Sequence, residues 1–491
     1  MNNLNPLKLK DPLLLKQQAV FNNEWVSSLT NETFEVFNPY NKEVLVSVPD
    51  MNGEDTQLAI SYARTALDSW SNQTAGHRGD LLLKWHDLIL EHEADLARII
   101  TLEGGKPIRE ALGEVRYGAS FIQWFAEEGK RIYGDVIPAH AKDKRIIVIK
   151  QAIGVVAAIT PWNFPIAMIT RKVGAALAAG CTIVVKPSEL TPLSALAIAE
   201  LAIRAGIPPG VFNVITGNHP AEIGKAICED PSVTKVSFTG STEVGKLLLK
   251  QSADTVKKIS LELGGNAPFI VFDDADLEAA TSGLIASKFR NAGQTCICAN
   301  RILLQDKIHD EFIERFKLAL TKETVGNGMD EHCTIGPLIN ESALHKVEQV
   351  VEEATMAGAK IVIGGNRHPL GSTFYSPTIL TDVSSTMEIA NTEIFGPVAA
   401  VFKFSSEQEA IDIANNTTYG LAAYFYGKDI SRVWRVAERL EYGMVGINTG
   451  MISTAIAPFG GIKQSGLGRE GSKYGIEEYL EVKYLCFHIE P

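Results

Sequence analysis

Long hydrophobic runs are missing from this sequence. No stretch of eighteen apolar residues occurs, so no segment is read as a membrane-spanning helix. Residues 1–18 do not read as a signal peptide, because Lys8, Lys10, Asp11 and Lys16 interrupt the leucines. Cysteine is scarce as well. Six cysteines in 491 residues make no disulfide scaffold, and none of their spacings is the C-x-x-C pair of a zinc site, so no metal is expected. A reducing, cytoplasmic setting is the expectation. Basic charge is in deficit: 46 Lys and Arg against 58 Asp and Glu leave a formal charge of −12, which argues against a nonspecific nucleic-acid binder. Internal repeats and low-complexity linkers are absent too. The remaining composition, 45% hydrophobic and 21% charged, is that of an ordinary globular protein too long for one core, and two or three substructures are expected.

Short apolar bursts over residues 19–48 predict small strands. From Asp55 the spacing turns helical, through Ala59, Ala63, Ala66 and Leu67, then Leu81 to Leu90 and Leu96 to Leu102. A helix over 109–131 and a hairpin over 132–150 follow. In the centre, residues 154–160, 182–186, 211–215 and 235–239 are β-branched runs separated by helical segments. That alternation predicts right-handed βαβ units and an α/β fold with a doubly wound parallel sheet, whose ligands bind beyond the carboxyl ends of the strands. A second α/β series starts near Gly264, with strands at 269–272, 360–363 and 398–404 and a helix from Leu277 to Asn291. Residues 479–485 alternate like an edge strand, and an unpaired edge invites pairing with another subunit.

The chemistry is expected around Cys296, set among Gly293, Gln294 and Thr295, which leave its sulfur approachable. A thiol of pKa ~8.5 is a strong nucleophile once a modest field from backbone N–H groups ionises it. Cys181, Cys228, Cys333 and Cys486 read instead as small packing residues. Cys298 is either another of these or a thiol close enough to Cys296 for a strained, easily reduced disulfide. Glu262 precedes two glycines at the end of an apolar run. Buried, it would have its pKa raised toward that of a general base; on an edge strand it would be a surface carboxylate. The Asn163 amide either donates to a developing oxyanion or closes a turn before Pro165. Gly240 to Lys246 opens a helix directly after a strand, a place suited to phosphate, but Leu247 stands where a P-loop has its hydroxyl.

Seven strings taken together, PWNFP at 161–165, KPSE at 186–189, FTGSTEVG at 238–245, LELGGN at 261–266, GQTC at 293–296, EIFGP at 393–397 and PFGG at 458–461, resemble the aldehyde dehydrogenase superfamily in the family's own order. The longer strings at 168–172, 288–301 and 466–475 look like its succinate-semialdehyde dehydrogenase branch. The resemblance implies that Cys296 attacks an aldehyde, that Asn163 and the Cys296 N–H hold the oxyanion, and that Glu262 activates the water that releases the acid. It implies a nicotinamide cofactor contacted by Trp162, Lys186, Ser188, Glu189, Gly240, Ser241, Gly245, Glu393 and Phe395, since hydride transfer is beyond any side chain. Its three-part fold would place a dinucleotide-binding domain at 1–131 and 152–263 and a catalytic domain at 264–464. An oligomerisation element at 132–151 and 465–491 would make the protein a dimer or tetramer.

Glu189 can accept hydrogen bonds from both ribose hydroxyls but would repel a 2′-phosphate, so NAD is expected over NADP. Arg171, Arg290 and Ser453 are the expected clamp for a substrate carboxylate, because guanidinium groups grip carboxylates bidentately. Succinic semialdehyde is the expected substrate, with glutaric semialdehyde weaker. Three rivals are less well supported. A cysteine hydrolase lacks a histidine within twelve residues of Cys296, a P-loop ATPase is undercut by Leu247, and a non-catalytic binder leaves Asn163, Glu262 and Cys296 without purpose.

Overall fold

Five β-branched runs, Val155–Ile159, Thr182–Lys186, Phe212–Val214, Val233–Thr239 and Lys258–Glu262, pair in parallel in the computed structural model, which describes residues 5–490. Across the sheet the order is Lys258–Glu262, Val233–Thr239, Val155–Ile159, Thr182–Lys186, Phe212–Val214. The direction of winding reverses between Val155–Ile159 and Val233–Thr239, which opens a crevice at their carboxyl ends. The antiparallel pair Ala19–Phe21 and Glu24–Val26 extends one edge, and Gly466–Leu467 lies antiparallel to Lys258–Glu262 at the other. Glu262 is therefore on an interior strand. Every residue of the helix Ala167–Ala179 is buried, because this helix is packed under Ile108–Glu128 and over the sheet.

The chain leaves the first sheet at Glu262 and enters the second at Ala267. That second sheet runs Lys360–Ile363, Thr378–Thr381, Val398–Phe404, Ala299–Gln305, Ala267–Val271, Ala422–Tyr426, Met444–Ile447, and only its first strand is antiparallel. The helix expected from Leu277 to Asn291 stops at Lys288, since Asn291 and Ala292 adopt left-handed φ of 50° and 54° and turn the chain toward Cys296.

A third sheet joins Asp135–Ile137, Lys144–Ala152 and Leu480–His488, all antiparallel, with Val482, Tyr484 and Phe487 exposed on the outer strand. The carboxyl-terminal element is narrower than expected. Gly466–Leu467 belongs to the first sheet, and the helix Ser472–Glu477 packs on Ala167–Ala179, so among the described residues from 465 onward only the Leu480–His488 strand joins the small sheet. No described helix is long and apolar enough to cross a membrane.

Candidate active site

The crevice of the first sheet faces the amino end of strand Ala299–Gln305 in the second, and between them lies a cavity of about 270 Å³. Trp162, Asn163, Gly240, Ser241, Glu262, Cys296, Glu393 and Phe395 all line it. The Trp162 and Phe395 rings meet edge to face with centroids 5.7 Å apart. Phe395 is held at φ 55°, a backbone conformation that a bulky residue keeps only when its surroundings impose it. Ser241 caps the helix Thr242–Ser252 by accepting the Val244 N–H at 3.3 Å, so a helix amino end with its remaining unpaired N–H groups adjoins the cavity.

Several expected cofactor residues lie elsewhere. Gly245 is buried in the first turn of that helix, where a Cβ would stand 2.5 Å from Leu263, so its smallness serves packing. Lys186 and Glu189 pair at 2.9 Å beyond the neighbouring strand, Ser188 accepts the Leu190 N–H at 3.2 Å, and Glu189 borders a separate cavity of about 310 Å³.

Cys296 is half-buried on the cavity wall, and desolvation pushes its thiol up to about 12. Arg171 opposes that shift; the carboxyls of Glu393 and Glu262 add to it. The expectation that local N–H groups ionise the resting thiol therefore needs correction, because burial by elements far along the chain outweighs them. Glu262 is 3% exposed and its Oε2 has no hydrogen-bond partner. Burial, followed by the charge of Glu470, raises its carboxyl well above the usual range, against the pull of Arg171 and Lys172. Asn163 donates one amide N–H to the Gln294 carbonyl at 3.0 Å, which leaves the second for another acceptor.

Two groups that the sequence reading did not single out hold these residues in place. Lys106 is 2% exposed, ion-paired with Glu114, 3.8 Å over the Phe164 ring, and donates to the Asn163 carbonyl at 2.8 Å. Glu114 in turn accepts the Ile166 N–H at 2.9 Å, so the pair fixes both ends of the turn carrying Asn163. Glu470, also buried, grips both Arg171 and Lys172 beside Glu262. Deleting one member of such a buried pair typically costs ~3–5 kcal/mol. Glycine spacing before Lys106 was the only local signal for the first group. The second lay inside a quoted string, but its partners are 298 and 299 residues away.

Neither expected arginine lines the Cys296 cavity. Arg171 is 1% exposed, ion-paired with Glu470 and 4.5 Å over the Phe459 ring, with its Nη1 free of partners. Arg290 sits 5.3 Å over the Phe164 ring with its Nε unpartnered, and with Met451 it borders a separate cavity of about 320 Å³. Ser453 is half-exposed on the segment that carries Met451. Both guanidinium groups nevertheless act on the Cys296 thiol, lowering its pKa against burial. Cys298 is buried, its Sγ 3.5 Å from the Lys288 Nζ and 3.4 Å from the Gly293 carbonyl, and it is a free thiol like Cys296. At Gly265, where the chain crosses between sheets, a Cβ would stand 2.3 Å from the Cys296 carbonyl oxygen, so only glycine lets the crossing segment lie against the nucleophile's loop.

A model of the aldehyde dehydrogenase family matches residues 25–485. The chain is 58% identical to the NADP(+) succinate-semialdehyde dehydrogenase GabD of Escherichia coli, over 98% of this chain and 99% of that protein. It is 57% identical to a glutarate-semialdehyde dehydrogenase of Pseudomonas aeruginosa over the same shares of the two chains. A crystal structure described as an E. coli NADP-dependent enzyme superposes with a TM-score of 0.97 at 58% identity, covering 98% of this chain and 100% of that one.

Proposed function

The chain belongs to the aldehyde dehydrogenase family, and on that premise we propose that it oxidises succinic semialdehyde to succinate with a nicotinamide dinucleotide. The observation that carries this reading is the meeting of Cys296, Glu262 and Asn163 in one cavity beside a helix amino end, with two guanidinium groups nearby that keep unpartnered N–H groups. The cavity fits the cofactor. Ser241 and the helix it caps suit a pyrophosphate, Trp162 and Phe395 offer apolar faces, and half-buried Glu393, whose carboxyl desolvation pushes up to about 7, offers an acceptor to ribose. When bound, the oxidised nicotinamide supplies the hydride acceptor and a positive charge that favours a thiolate.

The Cys296 thiol gives up its proton to solvent and its sulfur attacks the aldehyde carbon, while the free Asn163 amide N–H and the Cys296 backbone N–H donate to the oxygen as it gains charge. Loss of hydride from that carbon leaves a thioester on Cys296. Glu262 then takes a proton from water, whose oxygen attacks the thioester and frees both the acid and the thiol. Arg290, Arg171 and Ser453 hold the substrate's far carboxylate, which fixes its distance from the reacting carbon. Both relatives named above carry an acid aldehyde in their names, which supports an anion clamp, and glutaric semialdehyde is the expected weaker substrate.

Reduced nicotinamide absorbance over a panel of aldehydes tests the reading. Arg290→Ala raises KM for succinic semialdehyde by roughly 10–100-fold, the worth of a hydrogen bond to a charged group, and leaves butanal nearly unchanged. An equal loss on both substrates would show that Arg290 acts through the fold or through the Cys296 thiol and not on the carboxylate. Arg290 is the better probe, since Arg171 is bound to Glu470 and its loss would strand a buried carboxylate.

The Glu189 carboxylate supports NAD over NADP, because it would repel a 2′-phosphate and its pairing with Lys186 keeps that lysine from binding one. Glu189→Ser is expected to raise kcat/KM with NADP relative to NAD by about tenfold or more. A parent enzyme more efficient with NADP would overturn the preference. The exposed outer strand Leu480–His488 supports assembly with further copies, and six free thiols support a reducing, cytoplasmic compartment. Cys298 stands ready to pair with Cys296 only if the loop between them moves.

A further inference from the structure

Tyr117 lies on the helix Ile108–Glu128, one residue before Gly118, where that helix presses on Ala167–Ala179; a Cβ on Gly118 would stand 2.8 Å from Ile166. Its ring rests against Phe121 with centroids 4.9 Å apart, and its hydroxyl is buried with no hydrogen-bond partner. A buried hydroxyl without a partner is a standing cost to the fold, which phenylalanine at the same place would spare. The charges of Arg171 and Arg290, then of Cys296 and Glu470, all reach this phenol, and its helix packs on the one that carries Arg171. Arg171 Nη1 and Arg290 Nε are likewise without acceptors. Three unpartnered donors in one neighbourhood call for one anionic acceptor, and a carboxylate with its roughly four lone-pair sites can take all three.

We propose that Tyr117 is a substrate-contacting residue whose hydroxyl donates to the carboxylate of the semialdehyde, alongside the free N–H groups of Arg171 and Arg290. This deepens the reading of the clamp and rests on it. Burial raises the phenol's pKa, so the proton it donates is kept throughout the working range. Asn163 serves the aldehyde oxygen at the other end of the substrate, so the two donors divide the molecule between its reacting and its recognised ends.

Tyr117→Phe removes one oxygen that bonds to nothing in the protein, so the fold loses no internal hydrogen bond and the melting temperature stays level or rises. Steady-state rates of the holoenzyme with NAD then separate the possibilities. KM for succinic semialdehyde is expected to rise about tenfold with kcat within about twofold, competitive inhibition by succinate to weaken in step, and kcat/KM for butanal to hold. An unchanged KM for succinic semialdehyde, or equal losses on both aldehydes, overturns the role of Tyr117. If Arg290→Ala is selective while Tyr117→Phe is silent, the arginine clamp stands and Tyr117 is no part of it. A parent enzyme without preference for succinic semialdehyde over butanal removes the clamp and this inference together.

Discussion

Cys296→Ala abolishes aldehyde oxidation, with kcat down by roughly 10⁴-fold or more, while the dinucleotide still binds with its parental affinity. The size follows from the thiol's place. Cys296 is the one thiol among the residues that line the cavity, and the hydroxyls and amine beside it cannot form the carbon–sulfur bond on which both later steps depend. The variant folds, because removing one half-buried sulfur opens no large void and Cys296 has no disulfide to lose. Titration with NAD under conditions of no turnover checks the binding half of the statement. Substantial remaining activity would show that some other group attacks the aldehyde.

Glu262→Gln gives a different loss. The first turnover's burst of reduced cofactor persists, and the steady state that follows is slower by roughly 10²–10⁴-fold, the range for removing a general base. Glutamine keeps the shape, and since Oε2 makes no hydrogen bond, little of the structure depends on the charge. The pH dependence carries the sign. Burial and the negative charge of Glu470 favour the protonated acid, so the fraction able to take a proton from water grows as pH rises. Acid release in the parent therefore accelerates with pH through the Glu262 ionisation, and the glutamine variant loses that rise. Rapid-mixing traces across pH decide it; a variant without a burst would place Glu262 before the thioester.

Much of this was legible from the residues themselves, for reasons that differ along the chain. Thr182–Lys186, Lys360–Ile363 and Val398–Phe404 appear as expected because each is a β-branched or apolar run that local pattern alone defines. Glu262 was undecided between an interior and an edge position, since the strand that flanks it, Gly466–Leu467, arrives about two hundred residues later. The helix end at Lys288 was missed by three residues because Asn291 and Ala292, ordinary letters in a helix, are forced left-handed by the loop they feed. The resting Cys296 thiol was misjudged for the same reason: small neighbours report reach, whereas ionisation is set by what packs around it from far along the chain. Arg171 could be named as a cation near the site, but not as one already held by Glu470.

The crossing at Leu263 to Asn266 gives the site a mechanical property. Glu262 ends a strand of one sheet and Cys296 precedes a strand of the other, so base and nucleophile ride on separate layers. A slide of one layer past the other changes their separation while leaving each in its own cradle. The tight seat of Gly265 against the Cys296 carbonyl and the stitches from the Asn163 amide to Gln294 and from the Asn291 amide to the Asn163 carbonyl oppose that slide. Side chains that touch neither substrate nor cofactor, wherever they pack across the seam between layers, thereby set the distance over which the second half of the reaction must work.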